Sequence, residues 1–93
     1  MYARVVRFTD VNPERISEIA SRVESEGPPP DVPAKGIRVI VDESQSTAVV
    51  ILTFDSEEDM RKGDETLSAM DTGETPGSRA SVDQGEVKVE RDL

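Results

Sequence analysis

Ninety-three residues, 34% of them hydrophobic, provide for one core and not two, so a single domain over 1–93 is expected. Eleven Lys and Arg against 20 Asp and Glu give a net charge of -9, which repels nucleic-acid phosphates and anionic lipid surfaces and argues against both as partners. With no Cys and no His, the chain forms no disulfide and has no Ser-His-Asp or Cys-His arrangement, no His-ligated zinc and no His-ligated haem.

The longest apolar run, Ala48 to Leu52, is far shorter than the roughly 20 residues that span a bilayer. Arg4 and Arg7 interrupt the only apolar segment near Met1, and no small-residue cleavage site follows, so a cytoplasmic location is the expectation. A domain this short leaves about a third of its unfolded surface exposed after folding, which favours burial against a partner.

In chain order, Tyr2 to Phe8 (YARVVRF) is β-branched and aromatic and stops at the turn-prone Thr9-Asp10, which marks a strand. Asn12 then caps a helix with Pro13 at its first position, and Val11 stands where it can staple against Ile16. Ile16, Ile19, Ala20 and Val23 form one apolar stripe, while Glu18 and Arg22 pair four apart on the wet side. Gly27 stops the helix, and the four prolines between Gly27 and Lys35 make a stiff, extended connector. Its PxxP, Pro30 and Pro33, has only Lys35 as a basic neighbour, and a connector is the reading adopted.

Ile37 to Val41 and Ala48 to Phe54 are the next two strands, joined as a hairpin by the polar Asp-Glu-Ser-Gln-Ser. The second of these reads AVVIL, apolar on both sides of the pleat, where a strand with one wet face alternates. Both of its faces are therefore expected to be covered. Asp55 is the expected cap of a second helix, with Glu58 three residues on completing a capping box. Met60, Gly63, Leu67 and Met70 share one stripe of that helix, and Asp71 to Ser78 ends it in a loop. In the last strand Val82 differs in parity from Val87 and Val89, which predicts a bulge near Asp83-Gln84-Gly85. The result is α+β, in the order β-α-β-β-α-β, with a four-stranded antiparallel sheet and both helices on one face.

Chemistry-bearing patterns are few. The six glycines are too scattered for a phosphate loop. Asp55, Glu57, Glu58 and Asp59 lack the alternation of a calcium loop and suit the helix N-terminus as solvated charges, so no metal is expected. The Met60, Leu67 and Met70 stripe fits an ordinary core and fits the wall of a hydrophobic cavity, since Met adapts to irregular ligands. Arg4, Arg7 and Arg38 lie in strands, where an inward guanidinium would hold an anionic or carbonyl-bearing group and an outward one would pair with the surplus acids. Tyr2 and Asp83 are groups able to move a proton if they face a pocket.

The element order, the two-faced strand running into TFDSEEDM, and the closing SVDQGEVKVE together resemble the dimeric α/β-barrel superfamily, and within it the small antibiotic-biosynthesis-monooxygenase-like proteins. The resemblance implies a ferredoxin-like subunit whose sheet packs on that of a second copy to close a barrel, so the expected partner is the chain itself, through the sheet face. It also implies a ligand between sheet and helices. The residues expected there are Phe8, Phe54, Met60, Leu67 and Met70, with Arg7 to hold a polar group.

Haem-degrading members of that superfamily rely on Asn, Trp and His, whereas this chain has no Trp, no His and only Asn12, used as a cap; that activity is expected to be absent. Quinone-forming members line their cavities with aromatic residues, and here Tyr2, Phe8 and Phe54 are the only ones. The expectation is thus a homodimeric barrel without cofactor or catalytic residues of its own, binding a small hydrophobic molecule. The alternative is a cofactor-independent monooxygenase or isomerase, in which the substrate supplies the reactivity and the protein the orientation.

Overall fold

A computed structural model describes residues 1–27, 32–69 and 78–92. The elements are β1 (Tyr2–Thr9), α1 (Pro13–Glu26), β2 (Gly36–Asp42), β3 (Thr47–Phe54), α2 (Glu57–Ser68) and β4 (Ser78–Glu86), in the expected β-α-β-β-α-β order. The strands form one sheet in the order β2-β3-β1-β4, and every neighbouring pair is antiparallel. Among the described residues no helix is long and apolar enough to cross a membrane.

Register divides the sheet into two faces. Tyr2, Arg4, Val6 and Phe8 of β1 stand beside Phe54, Leu52, Val50 and Ala48 of β3, and this face carries the core. Its core has two halves. In one, Val6, Phe8, Val11 and Ala48 gather with Ile16 of α1; in the other, Val32, Leu52, Phe54 and Met60 gather with Tyr2, Ile37 and Leu67. The opposite face holds Ala3, Val5 and Arg7 beside Thr53, Ile51 and Val49 of β3, with Arg38 and Ile40 of β2 continuing the row. Neither helix covers it, and Ile40 is 54% exposed.

Helix α1 begins as its sequence dictates. The Asn12 side chain accepts from the backbone N–H of Glu14 (2.9 Å) and Arg15 (3.4 Å), and Pro13 occupies the first turn, where no partner for its nitrogen is needed. Val11 is buried in the same cluster that Ile16 joins. At the far end Gly27 has φ 73°, a conformation that a side chain would resist, and its N–H closes on the Val23 carbonyl at 2.9 Å. Pro28, Pro29 and Pro30 lie outside the described residues, but Val32 beyond them is buried and Lys35 N–H bonds to the Thr53 carbonyl at 2.7 Å. The hairpin turn is built on Asp42, whose carboxylate accepts from the Ser44 hydroxyl (2.6 Å) and N–H (3.1 Å) and from Gln45.

Three expectations require correction. Helix α2 is capped by Ser56, whose hydroxyl accepts from Asp59 N–H at 3.2 Å, and not by Asp55, which instead pairs with Lys35 at 3.3 Å. The last strand begins at Ser78 and ends at Glu86, so Val87 adds only one bond, to the Met1 carbonyl, and Val89 stands in solvent. The bulge lies opposite the Arg7-Phe8 step, where Ser81 and Arg79 face consecutive residues of β1 and Ala80 is the extra residue. Because the strand starts four residues before Val82, the frame change falls near its beginning. Val82, Gln84 and Glu86 then share the face of Val6, Arg4 and Tyr2.

Candidate functional site

Helix α2 crosses the sheet on a glycine. A Cβ at Gly63 would meet Phe54 Cε1 at 2.8 Å and Cζ at 2.9 Å, so the helix axis can lie close to β3 only because no side chain intervenes. Met60 and Leu67 flank that contact and complete the core half around Phe54. The side of α2 turned towards β4, at the helical spacing of Glu57, Arg61 and Asp64, is left to form one wall of a cleft.

The opposite wall comes from the ends of β1 and β4. Tyr2 lies beside Glu86 and Arg4 beside Gln84 in register, and Tyr2, Gln84 and Glu86 line the space together with Met60. The cleft measures about 630 Å3 and opens to solvent, a volume within the roughly 300–1,000 Å3 of small-molecule sites.

Its electrostatics are dominated by carboxylates. Among the described residues Glu57, Asp64, Glu65 and Glu86 line it against one cation, Arg61, whose Nε donates to Glu57 at 3.0 Å. Beneath this lining lies Arg4, only 2% exposed, with Nε donating to Asp64 Oδ1 at 2.9 Å. That hydrogen bond is the main reason the Asp64 carboxyl is held below its usual range, partial burial opposing it and Gln84 and Ser68 adding to it, so Asp64 is a carboxylate at neutral pH. The Tyr2 hydroxyl donates to Glu86 Oε2 at 3.3 Å, and burial first, then the Glu86 charge, raises its pKa above the ordinary value. Tyr2 is therefore a protonated phenol, a donor inside an acidic cleft.

The residues expected from sequence are distributed over several surroundings. Met60 lines the cleft and also joins the core half of Phe54 and Leu67. Phe54 is 1% exposed and closed off by Gly63. Phe8 belongs to the other half of the core. Arg7 projects from the uncovered face beside Ser81 and is exposed, and Met70 lies outside the described residues. Of the other groups considered, Arg38 and Asp83 are exposed on the uncovered face, whereas Arg4 and Tyr2 face inward. Asp64, Gln84 and Glu86 were not anticipated. Asp64 had a readable signal, since it follows Gly63 on the border of the apolar stripe and an inward Arg4 calls for an acid. The β4 pair had none, because the position of the bulge decides which way they point.

Solved structures with this architecture are found at very low sequence identity. An antibiotic biosynthesis monooxygenase assignment from Chloroflexus aurantiacus superposes with TM-score 0.61 at 11% identity, over 98% of this chain and 96% of that one. Rv0793 from Mycobacterium tuberculosis gives TM-score 0.59 at 12% identity, over 98% of each chain. A variant of MhuD, crystallised with two manganese protoporphyrin IX molecules per active site, gives TM-score 0.62 at 13% identity over the full length of both. The chain has the antibiotic-biosynthesis-monooxygenase-like fold. No protein-family model and no curated relative matches the sequence.

Within this ABM-like fold the residues present do not fit a haem. Neither His nor Cys is available as an axial ligand, and the carboxylate lining would repel porphyrin propionates. The one Asn of the chain, Asn12, is occupied in capping α1. Among the described residues, no three acidic side chains gather closely enough to hold a metal ion.

Proposed function

We propose that the protein is a cytoplasmic homodimer, closed through the uncovered sheet faces, in which each subunit binds a small molecule with a hydrophobic body in the cleft between α2 and the β1-β4 edge and contributes no catalytic residue. The observation that carries the dimer is β3 itself. Its Leu52 and Phe54 lie in the core, yet Val49 and Ile51 line the other face with Val5, Ala3 and Ile40, and none of the described elements covers them. An apolar row on an open sheet face is the surface that a second copy buries. Sedimentation equilibrium at micromolar concentration is the test: a dimer is expected, and a monomer removes the proposal.

The ligand part rests on the cleft, with Met60 and the Tyr2 ring as its apolar contacts and polar groups around them. The ABM-like neighbours support it in so far as MhuD holds porphyrin in its active site.

A cofactor-independent monooxygenase or isomerase is the second reading, favoured by one feature: a protonated Tyr2 hydroxyl inside a cleft large enough for a substrate. It requires turnover of an oxidisable aromatic substrate above the rate in buffer, lost in Tyr2→Phe. Equal rates with and without protein exclude it for that substrate class.

A further inference from the structure

Arg4 is a cation with one arm unused. Its Nε is committed to Asp64, while Nη2 is shut off from solvent and has no hydrogen-bond partner among the described residues. A guanidinium carries five donors in a fixed plane, and a buried donor without an acceptor carries a desolvation penalty that a suitably placed oxygen removes. Its surroundings point to where that oxygen comes from. Asp64 is hydrogen-bonded to Arg4, Tyr2 is two residues along the same face, and Gln84 is its cross-strand neighbour; all three line the cleft.

Charge then narrows the chemistry. Glu57, Asp64 and Glu86 are matched by Arg61, Arg4 and Lys88, but Glu65 also lines the cleft and is in none of these ion pairs, which leaves the lining with a negative surplus. An anionic head would meet that surplus. A cationic head would meet it favourably but has no lone pair for Nη2. Resting on the reading that the cleft holds a ligand, we infer that this ligand is uncharged at its inner end and presents a carbonyl oxygen, which Arg4 Nη2 takes as its acceptor. The oxygen reaches Nη2 by displacing Gln84, an exposed side chain on the edge strand directly across from Arg4. Arg4 is thus a specificity residue, selecting an acceptor oxygen from beneath the cleft floor.

The test uses four probes with one ring system: 2-acetylnaphthalene, its oxygen-free isostere 2-isopropenylnaphthalene, 2-naphthoate and 2-naphthylmethylammonium. Each is titrated into the full chain by two-dimensional amide NMR, reading shifts at Tyr2, Asp64 and Gln84. The ketone is expected to bind about tenfold more tightly than the alkene, as a charged donor warrants, and more tightly than either ion. Arg4→Lys keeps a cation beside Asp64 but loses the second arm, and should bring ketone and alkene to equal affinity. Gln84→Ala, at an exposed position that leaves the fold intact, should keep or widen the preference for the ketone. Equal binding of ketone and alkene to the unaltered chain, or tightest binding of naphthoate or of the ammonium, overturns the carbonyl inference while leaving a ligand-binding cleft. No shift at cleft residues with any probe overturns both.

Discussion

Gly63 of α2 and Phe54 of β3 are in such close apposition that a Cβ on the glycine would stand 2.8 Å from the ring. Phe54 is 1% exposed, and the same Cβ would stand 3.2 Å from Val32 Cγ1, so the added methyl is crowded by two buried side chains. Gly63→Ala improves the intrinsic helix propensity of α2 by about 0.5–1 kcal/mol. Overpacking of about 1–3 kcal/mol opposes it. Net destabilisation is expected, visible as a lower urea midpoint with an unchanged slope. A raised midpoint would show that α2 can lift away from β3.

Arg4 and Asp64 are unequally buried, 3% and 30% exposed at their side chains, and this predicts an asymmetry. Asp64→Ala strands a guanidinium with no access to water and should cost about 3–5 kcal/mol. Arg4→Met leaves a carboxylate that solvent already reaches, and its cost should be clearly smaller. Equal losses in chemical denaturation would show that the pair is not the main partner of Arg4.

Because the Asp64 carboxyl titrates lower in the folded chain than an ordinary aspartate does, the folded state binds fewer protons there than the unfolded one. The stability this contributes is present above about pH 4 and is lost as pH falls through the lower folded pKa. Asp42, whose pKa is lowered chiefly by the Ser44 hydroxyl, acts in the same direction. Asp64→Asn should therefore flatten the acid limb of a melting-temperature profile without abolishing it. An unaltered limb would contradict the assignment.

Ser56, and not Asp55, satisfies the first turn of α2. Ser56→Ala should cost about 1 kcal/mol. Asp55→Ala removes an ion pair with Lys35 in which both side chains are two-thirds exposed, and should change stability by less than about 1 kcal/mol. Thermal melts of the two variants compare the caps directly.

Ile40 lies at the margin of the open sheet face, far from the core. Ile40→Lys should leave the fold of the single chain intact and weaken self-association, read as a lower mass in sedimentation at micromolar concentration. A dimer unaffected by this change would place the interface elsewhere.

The helix stop at Gly27, the Asn12-Pro13 start and the stripe of Met60, Gly63 and Leu67 were legible in the sequence because each depends on residues within a turn or two of one another. So was the two-faced character of β3, since alternation is a property of the strand alone. The cleft was not. It needs Gln84 and Glu86 on the same face as Tyr2, and that depends on Ala80 being the extra residue opposite the Arg7-Phe8 step, a matter of pairing between strands some seventy residues apart. The competing cap at Asp55 failed for a similar reason: Ser56 and Asp55 both suit a helix start, and Lys35 from a distant connector engages the second.

By itself, then, the sequence determined the order of elements, their punctuation and the absence of His and Cys chemistry, all set by local backbone preference and by composition. Tertiary structure alone decided which of the arginines turns inward. Parity put Arg4 on one face and Arg7 on the other, but only the packing of α2 on Gly63 told which face was buried and brought Asp64 to meet Arg4.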